Sequence, residues 1–161
     1  MPRFVQRKMS RAVSNLQVSA VADVLLLHPS KSLSDQITRW AHERPEWRVA
    51  TSAVRKLPEI RKVLDLATTA IVDASEDPCL AAEGFLQAVT QLGAGAVTMY
   101  TEVAHRDLEL LVRVRGSLFL LGPLWPDQWE SFFDGSLVRP KAASIVQMPA
   151  GRRRRHWRDA A

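Results

Sequence analysis

The chain has 161 residues, of which 47% are apolar and 24% charged, enough for one domain with its own core and too apolar for a disordered protein. Its longest apolar runs, such as Val24–Leu27 and Leu118–Leu121, fall far short of the roughly 20 residues of a membrane-spanning helix. The net charge of +5 is unevenly placed: residues 1–11 carry Arg3, Arg7, Lys8 and Arg11 against no acid, residues 139–161 carry seven cations against Asp159, and the middle nets −5. Attraction for polyanions therefore belongs to the two ends and not to the body of the chain.

The apolar residues from Leu16 to Leu27 follow a basic start, as in a secretion signal, but Asp23 interrupts them and no small-residue cleavage site follows. A cytosolic chain is expected. A single cysteine, Cys79, excludes an internal disulfide and a zinc cluster. It is expected to be a small buried side chain.

Residues 1–20 form a basic arm in which Phe4, Val5, Met9 and Val13 stand between the cations at roughly helical spacing, a pattern suited to packing on a partner. Val21–Leu27 is a continuous apolar run, predicted to be a strand covered on both faces and ending at His28-Pro29-Ser30. Leu33, Ile37, Trp40 and Ala41 follow at helical spacing, then a strand over Arg48–Val54 and a short helix with Leu57, Ile60 and Leu64 inward. Thr68–Val72 is a third strand. Asp77-Pro78 opens a helix, with the carboxylate as cap and proline in the first turn, and Gly93 ends it after Ala82, Phe85, Leu86 and Val89. Ala94–Tyr100 is a fourth strand. A helix carrying Ala104, Leu108, Leu111 and Val112 ends at Gly116, ahead of a fifth strand, Ser117–Leu121. A last helix places Trp125, Trp129, Phe132 and Phe133 in the core.

Strands and helices that alternate in this way build parallel βαβ units. Right-handed crossovers then give a three-layer αβα sandwich around a five-stranded parallel sheet, for which the flavodoxin-like order 2-1-3-4-5 is predicted. Ligands in such folds meet the carboxyl ends of the strands, here His28–Ser30, Asp73–Asp77, Thr101–His105 and Gly122–Trp125.

Three features at these tips resemble a response-regulator receiver domain, over residues 21–133. Asp73, after Ala70-Ile71-Val72, stands where that family has its phosphoacceptor at the end of strand three. Thr101 follows 28 positions later, in the place of the switch hydroxyl. Gly116-Ser117-Leu118-Phe119-Leu120-Leu121-Gly122-Pro123-Leu124 is similar to the family's run through strand five. The resemblance implies a partner surface on helix four, strand five and helix five, where this chain carries Arg113, Arg115, Trp125 and Trp129.

The departures bear on the chemistry. The resemblance implies an acid pair after strand one, Mg²⁺, and a lysine before the strand-five proline, because a carboxylate approaches a phosphoryl group only where cations neutralise the oxygens. This chain has His28, Pro29 and Ser30 at the acid pair and Gly122 before Pro123. Glu76 or Asp77 would have to turn inward to complete a metal site, and Glu102, following Thr101, would repel phosphate. His28 with Asp73 makes too small a ligand set for a transition metal. No catalytic residue, metal or cofactor is expected.

The expected function is therefore a pseudo-receiver that regulates by binding another protein or its own copy. Two other readings compete with it. One is a genuine phosphoacceptor using Asp73. The other is a small α/β protein that binds a nucleotide or metabolite through Ser30, Thr101 and the helix start after Asp77, or nucleic acid through its tail. That tail, within a linker and Arg-rich segment over 134–161, runs Arg152, Arg153, Arg154, Arg155, His156, Trp157, Arg158 and has the charge and the aromatic ring for salt-sensitive polyanion binding.

Overall fold

A computed structural model describes residues 22–135. The basic arm over 1–20 and the segment carrying Arg152–Arg155, Trp157 and Arg158 lie outside the described residues.

Strands β1 (Ala22–Leu27), β2 (Val49–Ser52), β3 (Ala67–Asp73), β4 (Val97–Thr101) and β5 (Leu118–Leu121) pair in parallel in the order β2-β1-β3-β4-β5. This is the flavodoxin-like order expected. Helices α1 (Lys31–His42), α2 (Leu57–Leu64), α3 (Pro78–Leu92), α4 (Arg106–Val114) and α5 (Pro126–Gly135) connect and flank them.

Side chains alternate across a strand, so each strand feeds two cores. Val24, Leu26, Ile71 and Tyr100 face Leu33, Ile37 and Trp40 of α1 and Trp129 and Phe133 of α5. Leu25, Leu27, Ala70, Val72 and Met99 face Ile60 and Leu64 of α2, Phe85 and Ala88 of α3, and Leu108 and Val112 of α4. That division makes the three layers.

Local signals set the element ends. Asp77 accepts a hydrogen bond from the Leu80 amide at 3.0 Å, with Pro78 in the first turn. Ser30 caps α1 through a bond from the Leu33 amide at 3.2 Å. Gly93 and Gly116 take φ of 88° and 82°, a backbone region that L side chains avoid, and each ends its helix. Asp23 does not break β1: its carboxylate is buried but accepts the Arg48 amide at 2.9 Å and lies 3.2 Å from the guanidinium.

Three expectations need correction. Cys79 is exposed, because the buried stripe of α3 is Ala81, Gly84, Phe85 and Ala88, and residue 79 falls off it. The fourth strand begins at Val97, since Ala94–Ala96 form a 3₁₀ turn whose Ala94 and Ala96 carbonyls accept the Ser117 and Thr69 hydroxyls. Trp125 is 73% exposed, whereas Trp129 and Phe133 are buried. Phe133 stacks on Trp40 at 4.0 Å between ring centres, and Glu130 forms an ion pair with Arg44, whose guanidinium lies 5.0 Å from the Trp40 ring centre. These contacts dock α5 on α1. Among the described residues no helix is long and apolar enough to cross a membrane.

Truncating the stacked ring should show how much this dock carries. Phe133→Ala is expected to cost about 3–5 kcal/mol by urea denaturation, whereas Leu110→Ala, at a side chain in solvent, should cost under about 0.5 kcal/mol.

Candidate functional site

The carboxyl ends of β1 and β4 flank Asp73 at the end of β3. Its side chain is 2% exposed, and a carboxylate so placed needs partners for both oxygens. The Ser30 amide donates to Oδ2 at 2.8 Å and the Ser75 amide to Oδ1 at 2.8 Å. Asp73 thus closes its own turn and the turn after β1.

Its neighbours are engaged as well. The Ser30 hydroxyl caps α1. The Ser75 hydroxyl accepts the Glu102 amide at 3.0 Å. Thr101, 1% exposed, donates its hydroxyl to the Val103 carbonyl at 2.9 Å and accepts the Val103 amide at 3.2 Å. His28 has φ 53°, an uncommon value for a residue with a side chain. Its Nε2 donates to the Val54 carbonyl at 2.6 Å, and its buried Nδ1 has no hydrogen-bond partner. Neither ring nitrogen is bonded to Asp73. Gly84 of α3 admits this arrangement, since a Cβ there would lie 2.9 Å from Leu27 Cδ2 and 3.3 Å from His28 Cε1.

Glu76 and Asp77 do not complete an acidic pocket. Glu76 is exposed, while Asp77 caps α3 and stands 3.9 Å from Arg55. Among the described residues no three His, Cys, Asp or Glu side chains are grouped so as to hold a metal. Mg²⁺ requires near-octahedral oxygen ligands, usually with one or two carboxylates. Here the one buried carboxylate at the tips faces N–H donors on both oxygens. The residues present do not fit that ion.

Glycine at position 122, where the receiver resemblance would imply a lysine, has a steric reason that the sequence did not disclose. A Cβ at Gly122 would lie 2.3 Å from the Tyr100 hydroxyl and 2.4 Å from its ring. Tyr100 fills the space beside Gly122, and Pro123 follows through a cis peptide bond. The Tyr100 hydroxyl donates to Glu102 Oε2 at 2.8 Å and accepts from Gln36 Nε2 at 2.9 Å. Glu102 is held by a phenol, whereas the sequence suggested only an anion opposing phosphate. Gln36 also donates to Ser32 Oγ at 3.0 Å and accepts from the Leu124 amide at 2.9 Å and Trp129 Nε1 at 3.1 Å. One amide side chain thereby joins α1, β4, the β5–α5 loop and α5. Burial pushes the Tyr100 phenol well above its ordinary value of 10.0; the Gln36 bond opposes this and the Glu102 carboxylate reinforces it.

Trp129 was expected on the partner surface. It is buried and bonded to Gln36, so it takes no part in one. Arg113, Arg115 and Trp125 are exposed. Gln36, Ser75 and Tyr100 were missed; the available signal was a polar residue at position 36, next to the inward Leu33 and Ile37 of a helix stripe.

No family model matches the chain, and no curated protein sequence matches it.

Two measurements follow from this packing. Gly122→Ala should destabilise the fold by about 1–3 kcal/mol in chemical denaturation, because a fully buried ring would have to shift. Tyr100 is the one tyrosine in the chain, so absorbance near 295 nm reports its phenolate alone. Below its unfolded value of 10.0 the phenol is protonated in both states and contributes no pH dependence. Above it only the unfolded chain ionises, so stability should fall by up to about 1.4 kcal/mol per pH unit, with phenolate appearing only as the protein unfolds. Tyr100→Phe should remove that slope.

Proposed function

We propose that the chain is a non-catalytic, receiver-like regulatory module that works by binding another protein or its own copy. The observation that carries this reading is the state of Asp73: both oxygens accept backbone amides, and the ring of Tyr100 stands where a charge-compensating side chain at position 122 would begin. A carboxylate so held is a poor nucleophile, and among the described residues no lysine or arginine is bonded to it to draw a phosphoryl group there. The hydroxyls of Ser30 and Thr101, candidate donors for a nucleotide phosphate, are turned to backbone partners.

Support for binding comes from the surface. Val103, Leu110, Val114, Leu118, Leu121 and Trp125 are all more than half exposed, and all lie in the stretch that holds α4, β5 and the loops beside them. Apolar side chains exposed in one stretch of the fold support a contact role for that stretch. Arg113 and Arg115 border this region.

Incubation with acetyl phosphate and Mg²⁺, followed by intact-mass measurement, tests the reading. The mass is expected to stay unchanged. A hydroxylamine-labile gain of one phosphoryl group that disappears in Asp73→Asn would make the chain a working phosphoacceptor instead.

A further inference from the structure

The acidic body of this chain carries one basic strip. Between residues 48 and 65, Arg48, Arg55, Lys56, Arg61 and Lys62 stand against Glu59 and Asp65, whereas the rest of residues 22–135 carries six cations against fourteen acids. The strip lies on β2 and α2. β2 is an outer strand of the sheet, and Arg48 and Arg55 bracket it with side chains 47% and 75% exposed. The buried Asp23 carboxylate fixes the Arg48 guanidinium there at 3.2 Å. Arg55 stands 3.9 Å from Asp77, beyond hydrogen-bonding reach, and Lys56 is exposed. The Arg48 and Ser52 carbonyls accept the Val24 and His28 amides of β1. Backbone groups alternate in direction along a strand, so the N–H and C=O of Val49 and Thr51 point away from β1, where no described strand meets them.

We infer that β2 is a docking edge for an acidic, extended segment of another protein, which joins the sheet as a further strand and sets its carboxylates against Arg48, Arg55 and Lys56. Main-chain bonds to Val49 and Thr51 hold such a segment, and the flanking cations select it. This surface is at the opposite edge of the sheet from α4 and β5, beyond the contact region proposed above.

The charges select that occupant. A second copy is disfavoured, since pairing β2 with β2 would bring Arg48, Arg55 and Lys56 of both chains onto one shared edge. Nucleic acid is disfavoured by the length of the strip. The four residues of β2 span roughly 13 Å. Exposed Glu43 and Glu46 precede Arg48, and Asp77, next to exposed Glu76, stands beside Arg55. A phosphate backbone longer than the strip would run onto those acids. A neutral strand gains nothing from the cations and must strip water from them. The charges that keep other chains off this edge are therefore the ones that admit an acidic segment.

The probe is a terminally blocked peptide of alternating glutamate and valine, about eight residues long, titrated into the ¹⁵N-labelled full chain. A peptide of alternating lysine and valine is the control. The acidic peptide is expected to shift the Val49 and Thr51 amide resonances saturably below about 1 mM, and the control to leave them in place. Thr51→Pro removes one outward N–H at an edge position that tolerates proline, leaves every charge unchanged, and should weaken this binding about 10-fold. Arg55→Glu with Lys56→Glu, at exposed positions, should weaken it at least about 10-fold, and decides the matter should circular dichroism show that the proline variant misfolds. An acidic peptide that leaves Val49 and Thr51 unmoved overturns the inference, as does an equal response to the lysine peptide or binding that the folded variants retain. A single-stranded DNA oligonucleotide that shifts the same two amides at lower concentration than the peptide would assign the strip to nucleic acid and overturn it too. None of these results alters the outcome with acetyl phosphate, so failure here is distinct from failure of the proposed function.

Discussion

One buried carboxylate organises the top of this fold. Asp73 cannot leave water without compensation, and it finds it in the Ser30 and Ser75 amides rather than in a cation. Hydrogen bonds to a charged acceptor contribute about 1.5–3 kcal/mol each, and these two tie the turn that starts α1 to the turn that precedes α3. The network extends outward from there. Ser75 takes the Glu102 amide, Glu102 takes the Tyr100 hydroxyl, Tyr100 takes the Gln36 amide, and Gln36 takes the Trp129 indole of α5. The strand tips, where an open α/β sheet ordinarily presents its chemistry, are here a structural knot.

On the proposed reading, shape and reactivity are separated. Parallel strands in the order 2-1-3-4-5 bring Asp73, Thr101 and Gly122 to one end of the sheet whatever surrounds them. Phosphoryl transfer needs more than that arrangement: it needs positive charge around the oxygens of the group transferred. Tyr100 supplies bulk beside Gly122 and a proton donor to Glu102, and neither is a cation. On the proposed reading, the uncharged edge of β5 and the exposed apolar side chains of α4 are part of what the described residues offer to other molecules.

Much of the fold was legible in the sequence because its signals are local. A continuous apolar run such as Val24–Leu27, a carboxylate before proline at Asp77-Pro78, and a glycine at the end of a helical stripe each specify backbone within a few residues. That the strand tips carry no lysine before Pro123 and no acid pair after β1 was equally readable, since it is a matter of residue type at a position. What packs there was not. Tyr100 fills space beside Gly122 across the β4–β5 pair, and Gln36 meets Trp129 from 93 positions away; neither contact has a sequence period. Phase within a helix was the other gap. Trp125 and Trp129 lie one turn apart, yet the first is in water and the second is buried, because Pro126 starts α5 after Trp125. Cys79 was misplaced for the same reason, a small shift in which face of α3 turns inward.

The closure of Asp73 is best examined through the two amides that hold it. In a magnesium titration followed by ¹H–¹⁵N correlation spectra, the Ser30 and Ser75 amide resonances are expected to stay in place up to about 20 mM, far above the concentrations at which a dedicated carboxylate site would fill. A saturable shift of both, lost in Asp73→Asn, would show that the carboxylate releases its backbone donors for a divalent cation and would contradict the closed site.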